Sequence, residues 1–112
     1  IDTLCYASGR KVAILGDMLE LGADSPAYHA EIGAYAARAG VDCIIASGPE
    51  SSALYASAKS LHGDTHYFPA KDELIKALPL LLRRGDSILV KASRGLEFER
   101  IADAVKALSS SL

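Results

Sequence analysis

A carboxylate follows the first strongly apolar segment of the chain. Residues 12–15 are Val-Ala-Ile-Leu, Gly16 follows them, and Asp17 comes next. The segment after Asp17 contains a further glycine, Gly22. The two acceptor oxygens of a carboxylate match the two hydroxyls of a ribose, and a long loop after a strand favours binding over a tight connection. Asp17 is therefore a candidate nucleotide contact. The alternative is a carboxylate that only caps the turn after a strand.

Two cations and a hydroxyl follow the last apolar segment. Lys91, Ser93 and Arg94 come directly after residues 87–90, and a helical pattern begins a few residues later. Lysine supplies a point charge, arginine supplies a planar fork, and a helix N-terminus adds positive potential. This loop therefore favours a carboxylate or a phosphate oxygen as its ligand. The alternative is an exposed basic turn that pairs with Glu97 or Glu99.

Weaker candidates lie at the other strand ends. Residues 47–51, Ser-Gly-Pro-Glu-Ser, could form an anion-binding helix start, although a plain strand–turn–helix junction is the favoured interpretation. Residues 69–70 offer no reactive group. His29 is expected one turn into a helix and close to the ligand edge, but an isolated histidine is more often structural than catalytic.

The sequence disfavours several classes of site. It contains no Gly-Lys-Ser or Gly-Lys-Thr, so it has no P-loop. Cys5 and Cys43 have no metal-binding spacing, and Cys43 is expected to be a small buried residue in a reduced protein. No metal cluster and no set of nucleophile, histidine and acid is recognisable.

Four apolar runs that alternate with helical patterns must position these residues. The strands are predicted at residues 12–15, 43–46, 66–68 and 87–90. The helices are predicted at residues 25–39, 50–61, from 71 with a kink or stop at Pro79, and 97–108. Ser25 is the predicted N-cap of the first helix, with Pro26 at the first helical position. Continuous apolar runs suit strands covered on both faces. Strand–helix alternation predicts right-handed βαβ units, hence an α/β, three-layer Rossmann-like domain with a mostly parallel sheet and helices on both faces.

Composition predicts one ordinary globular domain over residues 1–112. Hydrophobic residues make up 50% of the chain and charged residues 23%. The net charge of −2 gives no electrostatic case for nucleic-acid binding. No apolar run approaches the ~18 residues of a membrane span. Because the chain begins at Ile1 inside an apparent helix tail, we expect a domain excised from a longer protein, with a fraying end at residues 109–112.

These motifs together resemble one family of enzymes. The resemblance covers nearly the whole chain and rests on residues 9–22, on His29 and Gly33, and on residues 85–95 with Glu99. These segments are similar to the third, C-terminal domain of the ATP-dependent Mur ligases, and within that family to the type that adds D-alanyl-D-alanine. The Gly-Asp-Met-Leu-Glu-Leu-Gly segment is fairly specific for this type, and the Lys-x-Ser-Arg-Gly loop supports it.

The resemblance implies an activity. In this family ATP phosphorylates the carboxylate of a UDP-linked peptide, and an amine attacks the acyl phosphate to give an amide, ADP and phosphate. The substrates implied here are UDP-N-acetylmuramoyl-tripeptide and D-Ala-D-Ala, in the cytoplasm of a bacterium during peptidoglycan synthesis. The P-loop, the Mg²⁺ ligands and the UDP surface belong to the N-terminal and central domains. The resemblance thus implies a chain that is inactive alone and acts within a monomeric three-domain ligase.

The same resemblance implies roles for individual residues. Asp17 would contact the ribose of the nucleotide, and His29 would line the interdomain cleft beside it. Lys91, Ser93 and Arg94 would lie near the D-Ala-D-Ala carboxylate and the reacting phosphate. No catalytic residue and no metal ligand is assigned to this domain.

The chain departs from the family pattern in two places. The family commonly has Lys-Gly-Ser where this chain has Ala92 between its lysine and serine, and the added methyl group is expected to restrict how closely the loop approaches a ligand at Ser93. The family also has an Asp-x-Tyr-Asn-Ala-Asn-Pro segment that would lie just upstream of Ile1. Without that segment, one strand and several nucleotide contacts are expected to be missing.

Two alternatives remain open. The first is the C-terminal domain of another amino-acid-adding ligase of the Mur and folylpolyglutamate synthetase superfamily, against which residues 16–22 argue. The second is a non-catalytic, flavodoxin-like receiver with Asp17 in an acidic pocket and Lys91 as its strand-end lysine. A receiver needs an aspartate at the end of a middle strand, where this chain has Ser47 and Gly48.

Overall fold

The computed structural model describes residues 9–18, 22–92 and 98–111, with the backbone alone for residues 109–111. Within these residues, four strands alternate with four helices. The strands are β1 (Lys11–Gly16), β2 (Cys43–Ser47), β3 (Thr65–Phe68) and β4 (Ser87–Lys91). The helices are α1 (Ser25–Arg38), α2 (Ser52–Leu61), α3 (Lys71–Leu81) and α4 (Glu99–Ser111). Short 3-10 turns, Gly22–Asp24 and Pro49–Ser51, precede α1 and α2.

The four strands pair in parallel, in the order β3-β2-β1-β4. β1 is one of the two inner strands, and its Val12 lies opposite Cys43 of β2 on one side and opposite Ile88 of β4 on the other. Each strand lies within one residue of its predicted bounds. The predicted α/β class with a parallel sheet is confirmed.

Helices cover both faces of the sheet, as predicted. On one face, Ala13 and Leu15 of β1 pack with α1 and α2, and on the other face Val12 and Ile14 pack with α3 and α4. Right-handed crossovers explain the division. The chain steps from β1 to β2 to β3 in one direction, which keeps α1 and α2 on one face. It then returns across the sheet to β4, which places α3 on the opposite face.

Two helix boundaries differ from the predictions for local reasons. α1 begins at Ser25 itself, so Asp24 rather than Ser25 occupies the N-cap position, without a capping hydrogen bond from its side chain. α3 continues past Pro79 and ends at Leu81. A proline in the last turn of a helix removes one hydrogen-bond donor, which is a smaller loss than a proline at the centre would cause.

The last helix confirms the predicted apolar stripe. Ile101 is fully buried against the sheet, and Phe98, Val105 and Leu108 pack on the same cluster. The helix itself spans Glu99–Ser111, so its helical backbone extends beyond the predicted end at Leu108. None of the helices in the described part of the chain is long and apolar enough to cross a bilayer.

Close packing between α1 and α2 depends on a glycine. Gly33 lies in the middle of α1 and is buried. A Cβ atom at this position would overlap the carbonyl group of Leu54 in α2. Because the obstacle is main chain and not a flexible side chain, the two helices could accept a larger residue only by moving apart.

We therefore expect Gly33→Ala to destabilise the protein. Alanine normally stabilises a helix by about 1 kcal/mol relative to glycine, but overpacking against backbone costs about 1–3 kcal/mol, so the net effect should be a loss. Thermal and urea unfolding of the purified protein measures it. The matched control is Gly63→Ala, because a Cβ atom there would meet no neighbour. Equal stability of both variants and the parent protein would refute the close-contact explanation.

Candidate functional site

The strand order creates a crevice where ligands commonly bind. After β1 the chain crosses to one side of the sheet, and β4 returns on the other side of β1. In open parallel sheets, ligands bind beyond the carboxyl ends of the strands at this change of direction. Asp17 follows β1 at that edge, and Lys91 ends β4 with its Cα atom paired to Leu15. Two of the predicted site residues thus lie at adjacent strand ends.

Asp17 is held by the start of the second helical segment. The residue is buried, with 5% of its surface exposed. The Ser51 hydroxyl donates to one carboxylate oxygen of Asp17 at 2.7 Å, and the Glu50 backbone N–H donates to the other at 3.1 Å. The sequence predicted that residues 47–51 could be an anion-binding helix start. The structure shows that the anion at this helix start is the protein's own Asp17 carboxylate.

Gly48 permits this close approach. Its φ of 108° lies in the region that favours glycine, and a Cβ atom there would collide with the Asp17 carboxylate. The Gly48 N–H donates to the Phe68 carbonyl at 3.1 Å, and the Tyr67 hydroxyl donates to the Gly48 carbonyl at 2.8 Å. Burial, and then the charge of Asp17, raise the pKa of the Tyr67 phenol. The phenol therefore stays protonated and remains a donor.

His29 holds the other side of the same loop and is fully buried. Its Nε2 accepts a hydrogen bond from the Met18 backbone N–H at 3.0 Å. Its Nδ1 lies 2.8 Å from the Ser25 carbonyl oxygen. A backbone N–H can only donate and a carbonyl can only accept, so these partners assign the neutral tautomer with the proton on Nδ1. Both ring nitrogens are thus bonded within the chain.

The contacts of Asp17 and His29 belong to one closed network. The Ser25 hydroxyl lies 3.2 Å from His29 Nδ1 and donates to the Glu50 carboxylate at 3.3 Å. The Glu50 backbone N–H donates in turn to Asp17, and Met18, the next residue in the chain, donates to His29. The network joins the end of β1, the start of α1 and the start of α2. It fixes the direction in which the loop leaves the sheet.

A pocket of about 300 Å³ lies beyond the ends of β1, β2 and β3. Asp17 and Ser47 line it from the strand side, and Asp72 and Arg100 line it from the helix side. Asp72 accepts a hydrogen bond from Arg100 at 2.6 Å, which joins α3 to α4 across the rim. The buried Ser47 hydroxyl has no hydrogen-bond partner within the described residues. A buried hydroxyl without a partner is costly unless a ligand or water satisfies it.

The Phe98 ring separates this pocket from a second one. It lies against Gly16, where it occupies the space that a side chain would take, and it lines both pockets. The second pocket, of about 340 Å³, is lined by Lys91 and Glu99. No ion pair joins these two residues, both of which the structure describes. Lys91 is therefore not paired with Glu99, while Glu97 and Arg94 lie outside the described residues, so the alternative of a basic turn paired with a glutamate stays open.

The structure brings some of the predicted site residues together and leaves others aside. Asp17 and His29 share one network, and Lys91 lies at the next strand end. Ser93 and Arg94 lie outside the described residues. The sequence predicts a possible anion-binding helix start at residues 47–51 but assigns no individual role to Ser47, Gly48 or Ser51. A serine followed by Gly-Pro directly after an apolar run was the available signal.

The histidine geometry predicts a difference between two conservative variants. In His29→Gln the amide oxygen can still accept from the Met18 N–H, whereas His29→Asn is too short to reach it. Losing one buried hydrogen bond costs about 1 kcal/mol. We therefore expect the Met18 amide to exchange roughly five times faster in His29→Asn than in His29→Gln, measured by hydrogen exchange. Equal protection in the two variants would contradict the assigned role of Nε2.

Comparison with known proteins agrees with this geometry. A family described as "Mur ligase, glutamate ligase domain" matches residues 1–94. A UDP-N-acetylmuramoyl-tripeptide–D-alanyl-D-alanine ligase of Escherichia coli is 34% identical over 95% of this chain and 23% of its own length. The ligase of the same name from Bacillus subtilis is 38% identical over 83% of this chain and 21% of its own length. The chain thus spans less than a quarter of these relatives.

Solved structures give the same result. The chain matches MurF from Acinetobacter baumannii with a TM-score of 0.80 and 29% identity, over 94% of this chain and 24% of that one. MurF ligase from Thermotoga maritima, solved in complex with ADP, shares the fold with a TM-score of 0.77 at 24% identity, over 98% of this chain and 25% of that one. From the family match and the strand-end geometry together, we conclude that this chain belongs to the Mur ligase family as its C-terminal, glutamate ligase domain.

Proposed function

We propose that this chain is the C-terminal domain of the ATP-dependent ligase that adds D-Ala-D-Ala to UDP-N-acetylmuramoyl-tripeptide. The observation that carries the proposal is the shared name of its relatives. Those from Escherichia coli, Bacillus subtilis and Synechocystis are named for this reaction and are 34–38% identical over 83–95% of the chain. The substrates are soluble precursors and ATP, which fits an enzyme of the bacterial cytoplasm.

In the proposed reaction, ATP transfers a phosphoryl group to the tripeptide carboxylate, and the amine of D-Ala-D-Ala attacks the acyl phosphate. The product is an amide, with ADP and phosphate released. The proposed enzyme is a monomer in which N-terminal and central domains bind the UDP-linked substrate and the phosphates of ATP. The single globular unit described here would supply contacts to the nucleotide and the dipeptide.

We propose that Asp17 is a nucleotide contact through its unused acceptor capacity. Each carboxylate oxygen accepts one hydrogen bond within the chain and has a further lone pair. Asp17 also lines the pocket beyond the strand ends. The two internal bonds hold the carboxylate in place before a ribose arrives, so little ordering is needed on binding. The Ser47 hydroxyl, which has no partner in the described chain, lines the same pocket and is a further candidate contact.

For His29 we propose an indirect part in nucleotide binding. Its buried ring has both nitrogens bonded to the chain, so it supports the loop after Asp17 instead of donating to a ligand. Direct contact with a nucleotide would require one of these bonds to break. In this role His29 does not touch the nucleotide, and it affects nucleotide binding by positioning the loop that follows Asp17.

The described residues do not fit a Mg²⁺ site at this edge. Asp17 and Asp72 are the two carboxylates that line the pocket, and the Arg100 guanidinium paired with Asp72 places a positive charge there that opposes a cation. Magnesium prefers carboxylates that are free to join an octahedral shell with water. We therefore propose that any Mg²⁺ that accompanies ATP is held by the other domains of the enzyme.

We propose that Lys91, Ser93 and Arg94 form the loop that receives the D-Ala-D-Ala carboxylate. Lys91 is exposed at the end of β4 and lines the pocket on the far side of Phe98 from Asp17. Two pockets at neighbouring strand ends suit a nucleotide in one and the carboxylate of a small dipeptide in the other. The proposed roles of Ser93 and Arg94 are argued from the sequence alone. Lysine and arginine near a helix start attract carboxylates.

The alternatives are less well supported. A receiver would need a phosphoacceptor carboxylate at the end of β2, and Ser47 occupies that position. The carboxylate of Asp17 also faces a helix start instead of a second acidic residue. Another amino-acid-adding ligase of the superfamily would share this fold, and the choice between ligases depends on the names of the relatives.

Replacing Asp17 tests the nucleotide contact. In the full-length enzyme, Asp17→Ala should raise the KM for ATP about tenfold or more, because hydrogen bonds to a charged group contribute about 1.5–3 kcal/mol. The KM for D-Ala-D-Ala should stay unchanged. Steady-state kinetics with each substrate varied in turn provides the measurement.

The control for Asp17 is Ser51→Ala, which removes a donor to the same carboxylate and keeps the carboxylate itself. Ser51→Ala should lower the stability by about 1 kcal/mol and leave the KM for ATP close to that of the parent enzyme. If Asp17→Ala lowers stability and leaves the ATP kinetics intact, Asp17 only caps the turn.

Replacing Arg94 tests the dipeptide loop. Arg94→Ala should raise the KM for D-Ala-D-Ala roughly tenfold or more, since a charge-assisted bond to the carboxylate would be lost, while the KM for ATP stays constant. Arg84→Ala is the matched control, because Arg84 lies in the turn before β4, at the opposite edge of the sheet. Dipeptide kinetics that respond to neither change, or to both equally, would exclude this role for the loop.

A further inference from the structure

Three potential metal ligands meet at the edge of the sheet opposite the candidate site. Cys43 is the first residue of β2, and Asp64 and His66 flank Thr65, the first residue of β3. Ile44 pairs with Thr65 in the parallel register, which places Cys43 beside Asp64. Side chains two residues apart point to the same face of a strand. The register therefore gathers all three side chains on the face that α3 covers.

The ligand atoms of these residues lie close together. One atom from each of Cys43, Asp64 and His66 can be chosen so that all lie within 4.8 Å of one another. His66 Nε2 and an Asp64 carboxylate oxygen are already 2.8 Å apart. Cys43 is buried, whereas the side chains of His66 and Asp64 are 34% and 46% exposed. The group thus has a buried sulfur on one side and access to solvent on the other.

We propose that Cys43, Asp64 and His66 form a binding site for a thiophilic divalent cation, of which Zn²⁺ is the best match. Sulfur, imidazole nitrogen and carboxylate oxygen are the three ligand types that zinc takes in proteins. Three protein ligands leave a fourth tetrahedral position for water on the exposed side. Neither the family match nor the proposed ligase reaction assigns a metal to these residues.

The required geometry is within reach of small side-chain movements. A tetrahedral zinc ion needs its sulfur, nitrogen and oxygen ligands at separations of roughly 3.3–3.6 Å. The separation of up to 4.8 Å must therefore shrink by about 1 Å. Asp64 and His66 are partly exposed and can rotate, while the buried Cys43 stays fixed.

Two features of the chain oppose the cation and limit its affinity. Burial, and then the charge of Asp64, raise the pKa of the Cys43 thiol, so the metal must displace a proton, which leaves to solvent. The Arg10 guanidinium approaches the same sulfur. It is held there by a 2.9 Å hydrogen bond to the Leu81 carbonyl oxygen. A thiolate and a carboxylate together supply two negative charges, which balance the charge of Zn²⁺.

The site would join two strands at the start of their pairing. β3 is an edge strand of only four residues, and Zn²⁺ would connect its beginning to the buried strand β2. This role concerns the edge of the sheet away from Asp17. The zinc site and the ligase function can therefore be tested independently.

The experiment is a metal titration of the purified, reduced protein. The parent protein should bind at least one equivalent of Zn²⁺ at this site. In His66→Gln the affinity for that equivalent should fall roughly tenfold or more. Co²⁺ serves as a spectroscopic substitute. With Co²⁺ the parent protein should show a thiolate-to-cobalt charge-transfer band in the near ultraviolet, and Cys43→Ser should lack it.

Two further substitutions serve as controls. His62→Gln changes a neighbouring histidine that accepts a hydrogen bond from the Asp64 backbone N–H and supplies no ligand, and the glutamine side-chain oxygen can accept in its place. Cys5→Ser changes the other cysteine of the chain. Both variants should keep the zinc equivalent and the cobalt band. His66→Gln affects a partly exposed residue, so it remains informative if Cys43→Ser fails to fold. The absence of a cobalt band in the parent protein would overturn the proposal. So would a band that survives in both Cys43→Ser and His66→Gln.

Discussion

The fold depends on the burial of β1, one of the two inner strands of the sheet. β1 pairs with β2 and β4 through its backbone, and its side chains are buried against helices on both faces. A backbone with both edges paired can meet a ligand only where the strand ends. Asp17 is the first residue after that end. The burial of β1 therefore determines where the candidate site lies and which residue opens it.

The same carboxylate serves the fold and the proposed ligand. Asp17 accepts from Ser51 and from the Glu50 backbone, so it satisfies the start of the second helical segment with an internal anion. The two hypotheses for Asp17, that it caps the turn and that it contacts the nucleotide, are consequently compatible. A residue that is already fixed and still has free lone pairs can bind a hydroxyl without much further ordering. This dual use also means that its replacement affects stability as well as binding.

The two edges of the sheet have different chemistry. At the carboxyl edge, Asp17, Ser47 and Lys91 come from three strands and face the two pockets. At the amino edge, Cys43, Asp64 and His66 come from the paired strands β2 and β3. Parallel pairing produces both groups, because it aligns like ends of different strands. In each case, residues far apart in the chain become neighbours through register alone.

The sequence by itself determined the elements, their alternation and the candidate residues Asp17, Lys91 and His29. Continuous apolar runs and helical periodicity are local patterns, so the strands could be located within one residue. Only the tertiary structure decided that Asp17 fills the helix start at residues 47–51, that both nitrogens of His29 are bonded, and that Cys43 meets His66. These contacts depend on strand order and register. Because both faces of each strand are buried, a single strand shows no alternation of polar and apolar residues. Neither the strand order nor the register can therefore be predicted from one strand's sequence.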